Sequence, residues 1–262
     1  MSTNNRRMER LLPHMNGAAA AALAGMSAST LQRLIEMPRD ELAAAIARAL
    51  DGTTTAVRLP KFEESPLHAE ARALMGENFL GIPEVLKTFG VITQAEVDEL
   101  VHIPFSEHTL QHCKDTHLLI ADVGSCIQEL RKMRPNLLIR TGDTAWDKPF
   151  GKRNPRPSWL LIRKTRVPGS AYKTFEEQCR LLPALEDVPT ARQLVYATMV
   201  TYVATGRVLC GHFQVPTSDF DEIYRVYVGA TEDILFTTVY RGEDSGPRNP
   251  DIHLITMQKF DA

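Results

Sequence analysis

The sequence lacks the short motifs by which most enzyme and cofactor sites are recognised. It contains no G-x-x-x-x-G-K-S/T phosphate loop, no G-x-G-x-x-G nucleotide fingerprint, no G-x-S-x-G nucleophile elbow and no H-E-x-x-H zinc motif. No cofactor and no metal site are therefore predicted. The absence favours a protein that is not an enzyme, and an enzyme with an unrecognised site stays open as an alternative.

Cysteines and long apolar runs are also scarce. Cys113, Cys126, Cys179 and Cys210 are scattered along the chain and form no C-x-x-C pair. This spacing is typical of reduced thiols, so the sequence predicts a cytoplasmic protein. No apolar run reaches the roughly 20 residues that a membrane-spanning helix needs, and no membrane partner is predicted.

Neither sign of charge dominates the composition. The 262 residues include 30 basic and 32 acidic side chains, which gives a formal net charge of −2. A balance so close to neutral produces no global field that would attract nucleic acid or an anionic membrane. The 44% hydrophobic content is normal for a globular protein of a length that buries a sizeable core without disulfides.

The order of sequence patterns predicts an α+β protein. Residues 1–52 show helical periodicity and read as a helical N-terminal region. Residues 53–66, rich in Thr, Pro and charge, are typical of a linker. Residues 67–262 are predicted to form one mixed domain, helical over 67–116 and β-rich over 117–262.

Local signals predict individual elements of the mixed domain. Residues 190–205 fit either a helix or a long buried strand, and the Pro and Gly that bracket them favour the helix. Thr-x-x-Glu capping boxes begin helices at Thr93 and Thr174, the second running through Leu182. Short apolar runs separated by Gly, Asp, Pro and Asn predict strands and a C-terminal antiparallel sheet. These runs are His117–Ala121, Trp159–Thr165, Val226–Val228, Ile234–Tyr240 and Ile252–Met257.

Several segments resemble a family of uncharacterised bacterial proteins over about residues 70–262. The match begins with MGENFLGIPEVLKTFGV at Met75–Val91. It continues at Ile103–Glu107, Cys113–His117, Ile162–Thr165, Lys173–Gln178, Pro189–Arg192 and Ala204–Gly206. No activity is established for this family, so the resemblance implies no chemistry.

The tail is similar to the carboxy-terminal segments that diversity-generating retroelements mutate. Tyr224–Gly229, YRVYVG, matches the first part of that pattern, whereas Tyr240-Arg241 stands where Trp-Asp is expected. Those segments sit on C-type-lectin-like folds, so the resemblance implies such a fold and a surface that binds a protein or other macromolecule. Tyr and Arg dominate binding hot spots, which makes five residues the predicted partner contacts. They are Tyr224, Tyr240, Arg241, Arg248 and Asn249.

A basic stretch with interleaved aromatics, residues 146–166, supports an alternative. Cations and aromatic rings together hold a nucleic-acid strand by charge and by stacking. The alternative is therefore nucleic-acid binding through this stretch. Its predicted contacts are Lys152, Arg153, Arg156, Arg163, Trp146 and Trp159.

Two weaker patterns are those of a zinc site and of a phosphate-binding turn. His108 and His112 have the i,i+4 spacing that places two side chains on one face of a helix, as zinc sites require. Asp122–Ser125 lies between a predicted strand and a predicted helix, where a backbone nest can hold phosphate. For both, an ordinary solvated helix face and an ordinary turn are the favoured interpretations.

Overall fold

A computed structural model describes most of the predicted mixed domain. The described residues are 64–90, 92–134, 137, 148–209, 211, 213–221, 224–230, 235–240 and 249–261. For residues 221, 224, 230 and 235–240 it describes the backbone alone. The chain divides between Leu59 and Pro60, and all described residues belong to the second unit. The predicted region 1–52 and almost all of the linker lie outside them.

The α+β class predicted from the sequence is confirmed. The described residues form eight α-helices and eight β-strands. The helices are α1 (Pro66–Met75), α2 (Ile82–Phe89), α3 (Gln94–Glu99), α4 (Glu107–Cys113), α5 (Ile127–Met133), α6 (Pro149–Lys152), α7 (Phe175–Cys179) and α8 (Ala191–Thr205). The strands are β1 (Phe79–Leu80), β2 (His117–Asp122), β3 (Ser158–Arg163), β4 (Glu186–Asp187), β5 (Gln214–Asp221), β6 (Tyr224–Ala230), β7 (Leu235–Tyr240) and β8 (Met257–Gln258).

A five-stranded sheet, ordered β1-β2-β3-β8-β4, lies at the centre of the described domain. β1 and β2 are parallel, and the other neighbours are antiparallel. β2 and β3 pair along their whole length, from His117↔Arg163 to Asp122↔Ser158. β8 enters between β3 and β4, so the end of the described chain completes the sheet.

The central strands are apolar at consecutive positions because both faces of the sheet are covered. Every residue of β2 is buried, and so are the four inner residues of β3. α8 contacts both sheets and is buried around most of its circumference, which explains why its sequence shows little amphipathic pattern. The helix predicted over residues 190–205 is confirmed, with a capping box at Thr190 and a left-handed C-cap at Gly206.

β5, β6 and β7 form a second, antiparallel sheet of three strands. β6 and β7 were expected from the sequence, whereas β5 was not. β5 carries Pro216 and a register irregularity between Pro216 and Phe220, which an edge strand tolerates because one side needs no ladder partner. The predicted strand Ile252–Met257 is wrong in extent: that segment has one isolated bridge, at Ile252, and joins a strand only at Met257.

Of the remaining predictions for single elements, some are confirmed and one is wrong in extent. The capping boxes at Thr93 and Thr174 are confirmed. The helix after Thr174 ends at Cys179, short of the predicted Leu182. None of the helices in the described part of the chain is both long enough and apolar enough to cross a membrane. The lectin-like topology stays a prediction.

Candidate partner-binding cleft

A cleft, here named the tail cleft, opens between the loop that follows β3 and the tail segment that precedes β8. The loop, residues 165–172, contributes Val167, Pro168, Ala171 and Tyr172, and the tail contributes Pro250. These side chains make the walls largely apolar. The loop and the tail lie about 80 residues apart in sequence, so local patterns could not show that they meet.

Buried hydrogen bonds fix the two walls to each other. The backbone N–H of Val167 donates to the carbonyl of Leu254 at 2.7 Å, and the N–H of Leu254 donates to Ser170 Oγ at 3.1 Å. The buried Gln178 amide donates to the carbonyls of Ser170 and Ile252. Since buried polar groups that are paired rigidify their surroundings, the shape of the cleft exists before any partner arrives.

Tyr172 stands at the rim of the cleft with 60% of its surface exposed. It is the one described non-glycine residue with positive φ, at 57°, a conformation that costs energy for a side chain with a Cβ. Its N–H donates to the carbonyl of Asn249 at 3.3 Å. The Asn249 side chain in turn accepts from the N–H of Asp251 at 2.8 Å, an Asx turn that shapes the tail wall.

Arg166 and His253 are the basic side chains of the cleft. Arg166 Nη1 lies 2.9 Å from His253 Nε2, and the imidazole packs edge-on against Phe213 with ring centroids 5.1 Å apart. Burial and the charge of Arg166 lower the pKa of His253 against opposing contributions from Asp251 and the Pro250 carbonyl. A neutral imidazole with its proton on Nδ1 accepts from Arg166 and holds that guanidinium in place.

Of the five predicted partner contacts, Asn249 is the one whose side chain is described, and it lies at the cleft rim. Tyr224 begins β6 and Tyr240 ends β7, and the register pairs Tyr240 with Arg225, so their backbones are neighbours at one end of the second sheet. The side chains of these two tyrosines, and all of Arg241 and Arg248, lie outside the described residues. Their roles stay predictions.

Trp159, predicted as a stacking platform for nucleic acid, is buried with 1% exposure. Its indole Nε1 donates to the carbonyl of Leu100 at 3.1 Å, and its ring packs against His68 and Phe79. Such a ring cannot stack on a base, because both of its faces lie in the protein core. The prediction gave weight to the neighbouring cations, although the consecutive apolar residues of β3 are the pattern of a strand that is covered on both faces.

The predicted basic contacts separate into two groups. Arg163 turns inward, where its Nη2 donates to Glu186 at 2.7 Å. Lys152, Arg153 and Arg156 are exposed, and Arg153 pairs with Asp219 at 3.3 Å. Trp146 lies outside the described residues. The structure therefore leaves Lys152, Arg153 and Arg156 as a short exposed cationic loop.

Glu186 is the centre of a buried polar cluster at the end of β2 and β3. It accepts hydrogen bonds from Arg163 and from the Thr256 hydroxyl, and His117 Nε2 lies 3.5 Å away. Burial raises the pKa of Glu186, but the interactions with His117, Arg163 and Thr256 outweigh it and hold this pKa at about 2. Burial raises the pKa of the neighbouring Cys113 to about 11, so its thiol is protonated and a poor nucleophile.

Asp122 is fully buried in a second ion pair, and this arrangement shows that the phosphate-nest hypothesis is wrong. Both carboxylate oxygens accept from Arg192, and Oδ1 also accepts from the N–H of Gly124 at 2.9 Å. A Cβ at Gly124 would overlap with the carbonyl of Pro155, so the segment 155–157 covers this turn. The backbone amide is occupied, and a phosphate has no access to it.

The histidines that the structure describes do not converge on a metal site. His102, His108 and His112 are exposed, whereas His117 is buried beside Glu186. Among the described residues no three His, Cys, Asp or Glu side chains stand close enough together to hold a metal ion.

Comparison of the chain with protein-family models, curated proteins and solved structures finds no match in any of the three. The resemblance stated from the sequence motifs therefore stays a prediction. Tyr172 and His253 are cleft residues that the sequence patterns did not single out, whereas Arg166 is the last cation of the basic stretch 146–166. The Pro168-Gly169 pair signals the turn that presents them, but no local signal places that turn against the tail.

Proposed function

We propose that this protein is a non-enzymatic binding protein and that the tail cleft and its rim contact a macromolecular partner. The observation that carries the proposal is Tyr172, a large exposed aromatic whose unfavourable backbone conformation is held by the carbonyl of Asn249. A Tyr side chain has few rotatable bonds and therefore loses little entropy on binding, and Tyr and Arg dominate interface hot spots.

Three further considerations support the proposal. The cleft is built in part from the tail, where the sequence resemblance implies a binding surface. Asn249 belongs both to the predicted contact set and to the rim. The described hydrogen-bond partner of His253 Nε2 is Arg166, and not a hydroxyl or thiol that the imidazole could activate for covalent catalysis. A cytoplasmic location belongs to the same proposal, and the buried thiols of Cys113 and Cys126, which form no disulfide, suit a reducing compartment.

Site-specific photo-crosslinking tests the proposal. A benzoylphenylalanine replaces Tyr172 in one sample and Leu185 in the control, since Leu185 is 64% exposed and does not line the cleft. We expect position 172 to give a discrete crosslinked species in a lysate of the source cells, and excess unmodified protein to suppress it. The same species formed from position 185 at equal yield would contradict the proposal.

Substitutions in the protein without the crosslinker measure how much each rim residue contributes to binding. Tyr172→Ala and Asn249→Ala are expected to weaken capture of that species by about tenfold or more, the usual effect of truncating a hot spot. Leu185→Ala is the matched control and should leave capture unchanged. Capture that is unaffected by both rim substitutions would overturn the proposal.

Nucleic-acid binding through residues 146–166 is the alternative proposal, supported by the exposed Lys152, Arg153 and Arg156. It predicts a nuclease-sensitive species whose capture falls steeply with added salt and is lost on reversing the charges of Arg153 and Arg156. Arg153 and Arg156 do not line the tail cleft. Reversing their charges should therefore abolish capture if the partner is a nucleic acid and leave capture unchanged if the partner binds the tail cleft.

A further inference from the structure

The polar groups of the tail cleft carry charge of one sign. Arg166 is exposed, and within the described residues no carboxylate pairs with it. His253 is the second basic group of the lining, and the lining includes no Asp or Glu. A cleft with one fixed positive charge, one titratable cation and apolar walls is complementary to an anion attached to an apolar group.

We propose that the tail cleft binds an acidic peptide segment, with a Glu or Asp carboxylate on Arg166 and the neighbouring apolar side chain against Pro168, Tyr172 and Pro250. This inference rests on the proposed function and names the chemistry of its partner.

Arg166 is held in a position that suits a carboxylate. His253 accepts from one N–H of the guanidinium, at Nη1. The other N–H donors of Arg166 have no partner among the described residues and can donate to a ligand. A guanidinium that is already oriented pays less entropy when it binds a carboxylate through two parallel hydrogen bonds. The neutral imidazole supplies this orientation without placing an anion beside Arg166 that would compete with the ligand.

The shape of the cleft favours an extended peptide over a small molecule. Small-molecule sites are concave enough to bury most of their ligand, whereas the tail cleft is open along the rim where Tyr172 projects. Pro168 and Pro250 are rigid, and their rings together with that of Tyr172 present flat apolar surface at little entropic cost. An extended chain can place one apolar side chain on this surface and a carboxylate on Arg166.

Binding of a carboxylate is expected to depend on pH through His253. The described groups that face its ring are the Arg166 charge, the Asp251 carboxylate, the Pro250 carbonyl and the Phe213 ring. Burial and the charge of Arg166 lower the pKa of the free imidazole, and a bound carboxylate offsets that charge. Once protonated, His253 no longer accepts from Arg166, but its Nε2–H and the guanidinium can then both donate to the bound carboxylate. Binding therefore raises the pKa of His253 and takes up a proton, so affinity rises as the pH falls through the titration of this imidazole.

An array of paired heptapeptides, probed with the full-length chain, tests the inference. The members of each pair differ only by Glu or Gln beside a Leu, Phe or Pro. We expect the Glu members to bind about tenfold more tightly at neutral pH, with a larger ratio at about pH 5.5. Arg166→Gln should abolish the Glu/Gln ratio, and Arg166→Lys should restore part of it.

Arg180→Gln is the matched control, because Arg180 is an exposed arginine whose carboxylate partner is Glu176 and which does not line the cleft. It should keep the full Glu/Gln ratio. Equal binding of Glu and Gln members, no binding by any peptide, or a ratio that survives Arg166→Gln would overturn the inference. Binding of an oligonucleotide on the same array that Arg166→Gln abolishes would also overturn it, in favour of a different anion.

Failure of this inference can be told apart from failure of the proposed function. Photo-crosslinking from position 172 and loss of capture in Tyr172→Ala do not depend on the sign of the partner's charge. If they succeed while the Glu/Gln ratio equals one, the cleft binds a partner that is not acidic. Equal melting temperatures of the Arg166 variants and the unmodified chain show that the exposed substitutions leave the fold intact.

Discussion

Glu186 shows, at the scale of a single residue, how a buried charge is stabilised by partners distant in sequence. Arg163 lies on β3 and Thr256 just before β8, and both donate to the Glu186 carboxylate. Replacing the carboxylate by an amide weakens these charge-assisted bonds and leaves Arg163 without its anion. We expect Glu186→Gln to lower the free energy of unfolding by roughly 2–4 kcal/mol at neutral pH.

The pH dependence of the same variant follows from the pKa of Glu186. Because folding lowers this pKa to about 2, the ionised form stabilises the folded state above the unfolded-state pKa. That contribution is lost as the pH falls from about 4.5 to about 2. Urea denaturation at several pH values should show a shallower acid decline for Glu186→Gln than for the unmodified chain. The exposed Glu176→Gln should behave like the unmodified chain, and a decline of unchanged slope in Glu186→Gln would contradict this assignment.

The roles of single residues could not be predicted from the sequence where those roles depend on partners far away in the chain. Arg163 was predicted to contact nucleic acid, yet its partner Glu186 lies on another strand, 23 residues further along the chain. Trp159 was assigned to the same surface, yet the sheet buries it. Tyr172 and His253 were passed over because each is unremarkable among its neighbours. Their importance arises when the loop after β3 meets the tail.

At the scale of elements, the sequence predicts those helices and strands whose formation depends on interactions between residues close together in the chain. Capping boxes satisfy backbone donors within one turn, so the helix starts at Thr93 and Thr174 could be predicted. The helix that begins after Thr190 could be predicted from the Pro and Gly that bracket it. β2 and β3 could be predicted because buried strands read as short apolar runs. β5 and the extent of β8 could not, since a proline-containing edge strand and a two-residue strand gain their stability from tertiary pairing.

Gly124 and Gly206 allow a prediction about two turns of similar backbone conformation. Both have positive φ, 79° and 73°, which costs about 1–2 kcal/mol for a residue with a Cβ. A Cβ at Gly206 meets open space, whereas one at Gly124 overlaps with the backbone of Pro155. We expect Gly206→Ala to destabilise by about 1 kcal/mol and Gly124→Ala by more than about 3 kcal/mol. Urea denaturation measures both, and equal losses would show that the segment 155–157 does not pack on the turn.

At the scale of the whole molecule, residues 257–261 contact three parts of the domain: the five-stranded sheet, the segment before β4 and the start of α4. β8 pairs with β3 and β4 inside the five-stranded sheet. Beyond it, the N–H of Lys259 donates to the carbonyl of Leu185 at 2.8 Å. Asp261 then accepts from the N–H of Ser106 at 2.5 Å and from the Thr109 hydroxyl, which caps the start of α4. Since the tail wall of the cleft immediately precedes β8, the geometry of the cleft depends on the same pairing.

Two truncations separate the strand from the segment that follows it. A chain ending at Ile255 loses β8 and the Thr256 hydroxyl, which leaves β3 and β4 without a shared neighbour and Glu186 without one donor. We expect it to show no cooperative thermal transition by circular dichroism, because unpaired interior strand edges and a disrupted buried charge together exceed the marginal stability of a domain.

A chain ending at Lys259 keeps β8 and loses the contact between Phe260 and Phe105 and the Asp261 cap of α4. We expect it to fold with a loss of about 1–2 kcal/mol, the combined effect of a helix cap and a partly exposed aromatic pair. Cooperative melting of the Ile255 chain within a few degrees of the full chain would show that β8 is dispensable. The Lys259 chain should also keep the cleft, so its Glu/Gln ratio on the peptide array should equal that of the full chain.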